Sequence, residues 1–182
     1  MAGVGACHIA SDIENLSYHG VRTFIIFGNC GVLDKTISDC GIIIPTKAFG
    51  EDGTSYHYLS YDGEIELCSK YKDIFKEILR EYDFDYKEGY TWTTDAFFRE
   101  TRDKVNYFKN KGCVCVEMEA SAIGAVCKHK NLDYFTFYYA GDNLDSVIWE
   151  ERSLHSYSEL DKKNKVAILA LELAKKIIDK SE

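Results

Sequence analysis

Two carboxylates, Glu117 and Glu119, stand between two apolar runs of this chain. The run before them, residues 113–116, is β-branched and typical of a buried strand, and residues 120–126 are typical of a helix. Because an isolated carboxylate is costly to bury, two of them at such a junction need a reason. Either both lie at a solvated rim, with Glu119 favouring the first turn of the helix, or they line a site at the carboxyl end of a strand. The residue types alone favour neither alternative.

The segment Gly28-Asn29-Cys30-Gly31 provides a second place where a ligand could meet the chain. Gly28 and Asn29 follow an apolar run at residues 21–27, which predicts a strand that ends in a tight turn. A glycine turn lets the backbone approach a ligand closely, although a plain connection between two elements explains it equally well.

A third acidic residue, Asp142, follows the apolar run at residues 134–140 and is therefore predicted at the end of another strand. Phe97 lies in a predicted loop, residues 94–98, and either belongs to the core or stacks on a flat ring. The acidic and aromatic segment 144–159 is predicted to be a loop that can fold over a site.

Predicted strands and helices alternate along the chain, which indicates an α/β fold with a mixed, largely parallel central sheet flanked by helices. In such a fold, the strand ends that carry the acidic residues and the glycine turn converge on one edge. Amphipathic helices are predicted after Gly5, with Ile9, Ile13 and Leu16 on one face, at residues 71–82 and near residues 160–179. Further strands are predicted at residues 89–93 and at residues 40–44, where Pro45 ends the strand, and residues 49–58 are predicted to form a surface loop.

Composition excludes several classes of function. The 182 residues, 29% charged and 46% hydrophobic, are ordinary for a globular protein, and we expect a single domain over residues 1–182. A net charge of −8 argues against binding to nucleic acid, because the phosphate backbone attracts basic side chains. No apolar run reaches the roughly 18 residues of a membrane span and none resembles a signal peptide, so we expect a cytoplasmic protein without a membrane partner.

The seven cysteines show no regular spacing. Cys113, Cys115 and Cys127 lie in apolar runs and are typical of small core residues in a reducing compartment. Because no second cysteine or histidine pair stands nearby at zinc spacing, we predict no metal site.

Val116-Glu117-Met118-Glu119-Ala120 resembles the ribose-binding motif of the purine and uridine nucleoside phosphorylase superfamily. Other stretches resemble this family in the same order along the chain. They are the glycine turn at residues 28–31, a loop at residues 52–58, the segment 94–98 that supplies an aromatic ring to the base pocket, and the purine-specific acidic residue within 141–143. The resemblance covers essentially the whole chain and implies the family's three-layer α/β/α fold.

The resemblance also implies a role for each site residue. Glu119 would accept hydrogen bonds from the ribose hydroxyls, Met118 would pack against the sugar, and Glu117 would contact the ribose or the base. Phe97 would stack on the base. Asp142 would give a proton to a purine ring nitrogen, which makes the base a better leaving group and purine nucleosides the expected substrates.

The phosphate side of the site departs from the family pattern. Gly28 and Asn29 correspond to the turn beside the phosphate, but Ile26 stands where the family carries a phosphate-binding arginine. The chain also begins where the family's domain is already under way, so we expect an N-terminally shortened member without its early strands and basic residues.

Phosphorolysis is the function expected first: reversible cleavage of the N-glycosidic bond of purine nucleosides to base and ribose 1-phosphate, with phosphate as co-substrate and no cofactor. Hydrolysis by a nucleosidase is the second hypothesis, favoured by the loss of the arginine, although the 53–58 loop is more similar to phosphorylases. Nucleoside binding without catalysis is the third, and the shortened start favours it. Because family members are oligomers whose sites borrow neighbouring subunits, we also expect a homo-oligomer.

Overall fold

The computed structural model describes residues 3–60, 62–154 and 157–180. That part of the chain contains five α-helices and six strands, and two short 3-10 turns lie at Ser55–His57 and Phe97–Arg99. Helices and strands alternate except that the first three strands follow one another with no α-helix between them. The helices are α1 (Ala6–Tyr18), α2 (Lys72–Glu81), α3 (Arg102–Asn110), α4 (Ala120–Lys130) and α5 (Leu160–Asp179). The strands are β1 (Thr23–Val32), β2 (Ile42–Gly50), β3 (Glu64–Glu66), β4 (Tyr86–Thr93), β5 (Cys113–Glu117) and β6 (Asp133–Asn143).

All six strands form one mixed sheet in the order β3-β2-β4-β5-β1-β6. The pairs β1–β6, β2–β4 and β4–β5 are parallel, whereas β1–β5 and β2–β3 are antiparallel. Helices cover both faces, which confirms the predicted α/β fold with a central sheet between helices.

The sheet curls until two distant strands meet. Strand β2 also pairs with β6, with Ile42 opposite Tyr139 and Ile43 opposite Tyr138. Strand β1 pairs with β6 along its whole length, but it pairs with β5 at only two positions, Gly31 and Val32. We call this two-residue contact between β1 and β5 the short seam.

Two apolar clusters hold the helices against the sheet. On one face, α1 and α4 bury side chains that include Ile9, Ile13, Ile123 and Val126. On the other face, the apolar stripes of α2 and α5 pack against β6 and β2. Burial of these stripes is the main driving force for the two helical layers. The apolar stripe predicted for α1 is wrong at one residue. Leu16 is 46% exposed, and Ser17 is buried in its place.

The predicted glycine turn is wrong as local structure. Gly28 and Asn29 lie inside β1, which continues to Val32 because β6 pairs with it throughout. The register shifts between Cys30 and Gly31, so the glycine-rich segment forms an irregularity within a strand rather than its end.

Strand β2 also runs further than predicted. Pro45 does not stop it but lies in its middle, where the register against β4 shifts and a missing N–H is tolerated. The strand continues to Gly50, and the predicted surface loop begins after it, with Glu51, Gly53, Tyr56 and His57 exposed. Asp52 and Ser55 of this loop are buried.

Other sequence expectations are confirmed within a few residues, among them α2, α5 and the strands around residues 89–93, 113–116 and 134–140. Cys113, Cys115 and Cys127 are buried, as predicted. Within the described ranges, no helix is long and apolar enough to cross a membrane. The same residues contain no group of three His, Cys, Asp or Glu side chains that could hold a metal ion.

Candidate functional site

Gly31 connects the two halves of the candidate site. This residue of β1 pairs with Val116 of β5 on one side and with Asp142 of β6 on the other. Neighbouring strands lie about 4.8 Å apart, so the end of β5 and Asp142 are separated by about 10 Å. The structure therefore brings the predicted carboxylates of residues 117–119 and Asp142 to one region of the sheet.

Glu119 is a half-buried carboxylate that lies at the start of two helices. It is the residue before α4, and its Oε1 accepts a hydrogen bond of 2.6 Å from the backbone N–H of Gly5, the residue before α1. Its Oε2 accepts from the N–H of Met118 at 3.3 Å. Burial raises the pKa of Glu119, while these two backbone donors oppose that rise. A carboxylate has about four acceptor positions, so two remain for a ligand.

Glu117 has different surroundings from Glu119, because its carboxylate is turned into the protein and is 4% exposed. Its Oε1 accepts from the hydroxyls of Thr91 at 3.2 Å and Thr93 at 2.5 Å. Its Oε2 accepts from the backbone N–H groups of Glu119 at 2.7 Å and Ala120 at 2.6 Å.

These contacts fill the acceptor positions of Glu117. Burial first, and then the negative charge of Glu119, raise the pKa of Glu117 to about 7, against the hydrogen bonds from Thr93 and the backbone. With four donors already in place, the direct ribose or base contact expected from the sequence finds no free position on this side chain.

Asp142 forms the other half of the site and has two neighbours that the sequence analysis missed. The indole N–H of Trp149 donates to its Oδ2 at 2.7 Å. Glu100 lies close enough for its pKa to be raised to about 7, by burial first and then by the charge of Asp142. No described residue donates a hydrogen bond to the Glu100 carboxylate. The only sequence signals for these two residues were the predicted loop 144–159 and the nearby 94–98 segment.

Hydrogen bonds and an ion pair hold the loop that carries Trp149 against helix α3. The Arg102 guanidinium donates to the carbonyls of Leu144 at 2.9 Å and Ser146 at 2.5 Å. Lys109 forms an ion pair with Asp145 in the same loop. These contacts hold Trp149 beside Asp142, in keeping with the prediction of a loop over the site.

Phe97 does not belong to the core. Its side chain is 52% exposed and contacts the ring of Phe98, with centroids 4.3 Å apart and planes at 41°. Of the two alternatives left open by the sequence, an exposed ring available for stacking is the one that the structure retains.

Gly28 and Asn29 face opposite sides of the sheet, because side chains alternate along a strand. Gly28 lies opposite Tyr138 of β6, and Asn29 is exposed. Ile26, on the same face as Gly28, lies opposite Thr136. The hydroxyls of Thr136 and Tyr138 are buried without a hydrogen-bond partner among the described residues. Burial first, and then the charges of Glu117 and Glu119, raise the pKa of Tyr138, so the carboxylates lie near this face, which has no arginine at position 26.

Comparison with known proteins identifies the relatives of this chain. The sequence profile described as the phosphorylase superfamily matches residues 1–180. Guanosine phosphorylase from Halorubrum lacusprofundi is 29% identical over 171 residues, which are 90% of this chain and 67% of that protein. A 5'-methylthioadenosine/S-adenosylhomocysteine nucleosidase from Buchnera aphidicola subsp. Acyrthosiphon pisum is 29% identical over 133 residues, 68% of this chain and 57% of that enzyme. The solved purine nucleoside phosphorylase of Toxoplasma gondii has a similar fold, with a TM-score of 0.79 at 19% identity over 94% of this chain and 69% of that one.

Proposed function

This chain belongs to the phosphorylase superfamily, and from that premise we propose that it cleaves the N-glycosidic bond of purine nucleosides by phosphorolysis. The products would be the free base and ribose 1-phosphate. Phosphate is the co-substrate, and no other cofactor is proposed.

One observation carries this proposal: Gly31 pairs on one side with Val116, three residues before Glu119, and on the other side with Asp142, so the end of β5 and Asp142 lie about 10 Å apart. That separation suits a nucleoside whose sugar and base each contact one carboxylate. Both carboxylates are half-buried, so each combines solvent access with a partly desolvated setting.

Cleavage of the bond develops positive charge on the ribose, as in other glycosidic reactions. In our proposal, Glu119 accepts hydrogen bonds from the ribose hydroxyls, and its negative charge stabilises the developing cation. Met118 packs against the sugar and Phe97 stacks on the base. The Glu100 and Asp142 carboxyls are proposed to share a proton, which Asp142 holds when the substrate is bound. As the bond between C1' and the base nitrogen breaks, this protonated Asp142 gives its proton to a purine ring nitrogen and becomes a carboxylate, and a phosphate oxygen forms the new bond to C1'.

We assign phosphate to the Gly28 face of β1, whereas the Asn29 side chain, expected from the sequence to lie beside the phosphate, points to the opposite face of the sheet. A neighbouring copy of the chain in a homo-oligomer is proposed to supply the positive charge that this side lacks. The guanosine phosphorylase from Halorubrum lacusprofundi supports both the reaction class and a purine substrate.

Hydrolysis is the second candidate, and Ile26 is the observation that favours it. This half-buried side chain lies opposite Thr136 and cannot bind an anion, whereas a water molecule needs no cation. The similarity to a nucleosidase is consistent with this alternative.

A product assay separates the candidates. The protein is incubated with inosine, guanosine, adenosine, uridine and methylthioadenosine, with and without phosphate, and ribose 1-phosphate is resolved from free ribose. Phosphate-dependent release of ribose 1-phosphate from purine nucleosides is the expected result. Release of free ribose without phosphate would replace phosphorolysis by hydrolysis. Binding without any release would indicate a nucleoside-binding homologue.

A further inference from the structure

A chain of hydrogen bonds runs through the interior beneath Glu119. Ser121 donates its hydroxyl to Asp52, which also accepts from the backbone N–H of Ser55 at 2.8 Å and from its hydroxyl at 2.9 Å. The N–H of Ser121 donates to the Thr93 hydroxyl at 3.1 Å, and Thr93 in turn donates to Glu117. All five residues are at most 4% exposed, so this network is part of the core.

Glu117 ends the network by accepting hydrogen bonds from two consecutive backbone N–H groups. Its Oε2 accepts from the N–H of Glu119 and from the N–H of Ala120, the first residue of α4. Both N–H groups belong to the helix start, where no carbonyl of the helix can accept from them. The carboxylate therefore sets the position from which the Glu119 side chain leaves the backbone.

We propose that Glu117 is a positioning residue, which fixes the backbone of Glu119 so that the Glu119 carboxylate meets the ribose. The inference rests on the proposed function for the role of Glu119. It differs from a direct sugar contact by Glu117, for which the side chain has no free acceptor position.

The pattern of donors predicts which substitution Glu117 tolerates. In Glu117→Gln, the amide oxygen can still accept from the two backbone N–H groups. The amide NH2 then faces Thr91 and Thr93, whose hydroxyls can turn to act as acceptors. In Glu117→Ala, two buried N–H groups and two hydroxyls lose their partner, and the start of α4 is no longer held.

Titration calorimetry with guanosine tests the proposal on wild type, Glu117→Gln, Glu117→Ala, Glu119→Ala and the double Ala variant. We expect Glu117→Ala to weaken binding by about 10- to 100-fold and Glu117→Gln by less than about 3-fold. The double variant should bind no more weakly than Glu119→Ala, because Glu117 acts only through Glu119. Additive losses, or a Gln variant as weak as the Ala variant, would overturn the proposal in favour of direct contact.

A second pair of variants tests the same idea where Glu117→Ala fails to fold. Thr93→Val removes one donor to Glu117, whereas Thr93→Ser keeps the hydroxyl. Hydrogen exchange at the amides of Glu119 and Ala120 should accelerate at least tenfold in the Val variant and stay near wild type in the Ser variant. Equal exchange in both would contradict the positioning role. This readout needs no nucleoside, so it remains decisive if the wild type binds none and the proposed function itself fails.

Discussion

The backbone N–H of Gly5 donates to the Glu119 carboxylate at 2.6 Å, which connects the start of α1 with the start of α4. The two residues are 114 positions apart in the chain. The contact places a negative charge at the positive end of the α1 dipole, where it is favoured. A carboxylate held in this way is pre-organised before a sugar arrives.

Glu119→Gln should weaken nucleoside binding by about tenfold, because a neutral amide forms weaker hydrogen bonds with sugar hydroxyls than a carboxylate does. Calorimetric titration with guanosine measures the change. Glu81→Gln is a matched control, since Glu81 is an exposed glutamate of α2 paired with Lys176. Unchanged affinity in Glu119→Gln would remove this residue from the ribose site.

Asp142→Asn should slow purine cleavage by about 10²- to 10⁴-fold while the dissociation constant changes little, because it removes a proton donor used as the bond breaks. Single-turnover kinetics separate the two effects. A nitrophenyl riboside needs no protonation of its leaving group, so its cleavage should be nearly unaffected. An equal loss on both substrates would reject the proton-transfer role.

Trp149 should report on the base site by its fluorescence, because its half-exposed indole is hydrogen bonded to Asp142. The other tryptophan, Trp92, is fully buried and stacked on Phe108 with centroids 4.4 Å apart. In Trp92→Phe, we expect guanosine to change the emission of Trp149. In the reciprocal variant Trp149→Phe, the emission should not respond, and a response there would show that the signal does not come from the base site.

Stability should fall as the pH rises from about 4.5 to about 7, because Glu100 has a pKa near 7 in the folded chain against 4.5 as its ordinary value. In that window the native state holds more protons than the unfolded state, so raising the pH favours unfolding. For a partly exposed group the effect is on the order of 1 kcal/mol. Urea unfolding at pH 4.5, 6 and 8 measures it.

Two variants identify the source of that pH dependence. Glu100→Gln should reduce the slope without abolishing it, since Glu117 titrates in the same window. Asp142→Asn should lower the pKa of Glu100, because it removes the neighbouring negative charge that raises it. A slope that is identical in wild type and Glu100→Gln would contradict the assignment.

Gly31→Ala should destabilise the fold by about 1–3 kcal/mol, because a Cβ there would overlap Leu144 Cδ1 and lie 3.1 Å from Asp142 Oδ1 and 3.2 Å from Val116 Cγ1. Urea unfolding measures the loss. Gly53→Ala is the control, since a Cβ at Gly53 meets no atom within 4 Å. Equal stabilities of the two variants would show that the sheet accommodates the methyl group.

Local patterns were enough to predict most elements but not the path of the glycine-rich and proline-containing strands. Periodicity located α2 and α5, because their apolar stripes determine which face is buried. The local pattern predicts that strands end at Gly28 and at Pro45, which is wrong, because both residues lie inside strands. Their neighbours β6 and β4 supply the backbone partners that keep the strands going, and pairing between distant segments is invisible in a local pattern.

The candidate site was predictable in its residue types and less so in their orientation. The order of the acidic residues placed Glu119 and Asp142 at one edge of the sheet, and the structure agrees. The sequence could not show that Glu117 points inward, because this depends on Thr91 and Thr93 of a neighbouring strand. Glu100 and Trp149 were missed, because each reaches Asp142 from a loop whose path the periodicity does not define.

The short seam between β1 and β5 joins the two halves of the site by few backbone hydrogen bonds. Only Gly31 and Val32 pair there with β5, and the N–H of Leu33 adds one more bond, to the carbonyl of Val114 at 2.8 Å. Through these residues of β1, the sugar half at the end of β5 is joined to the base half on β6. A nucleoside that contacts both halves links them, and its free energy of binding adds to the local stability of the sheet. The ligand thereby adds to the backbone pairing at a contact of only two residue pairs.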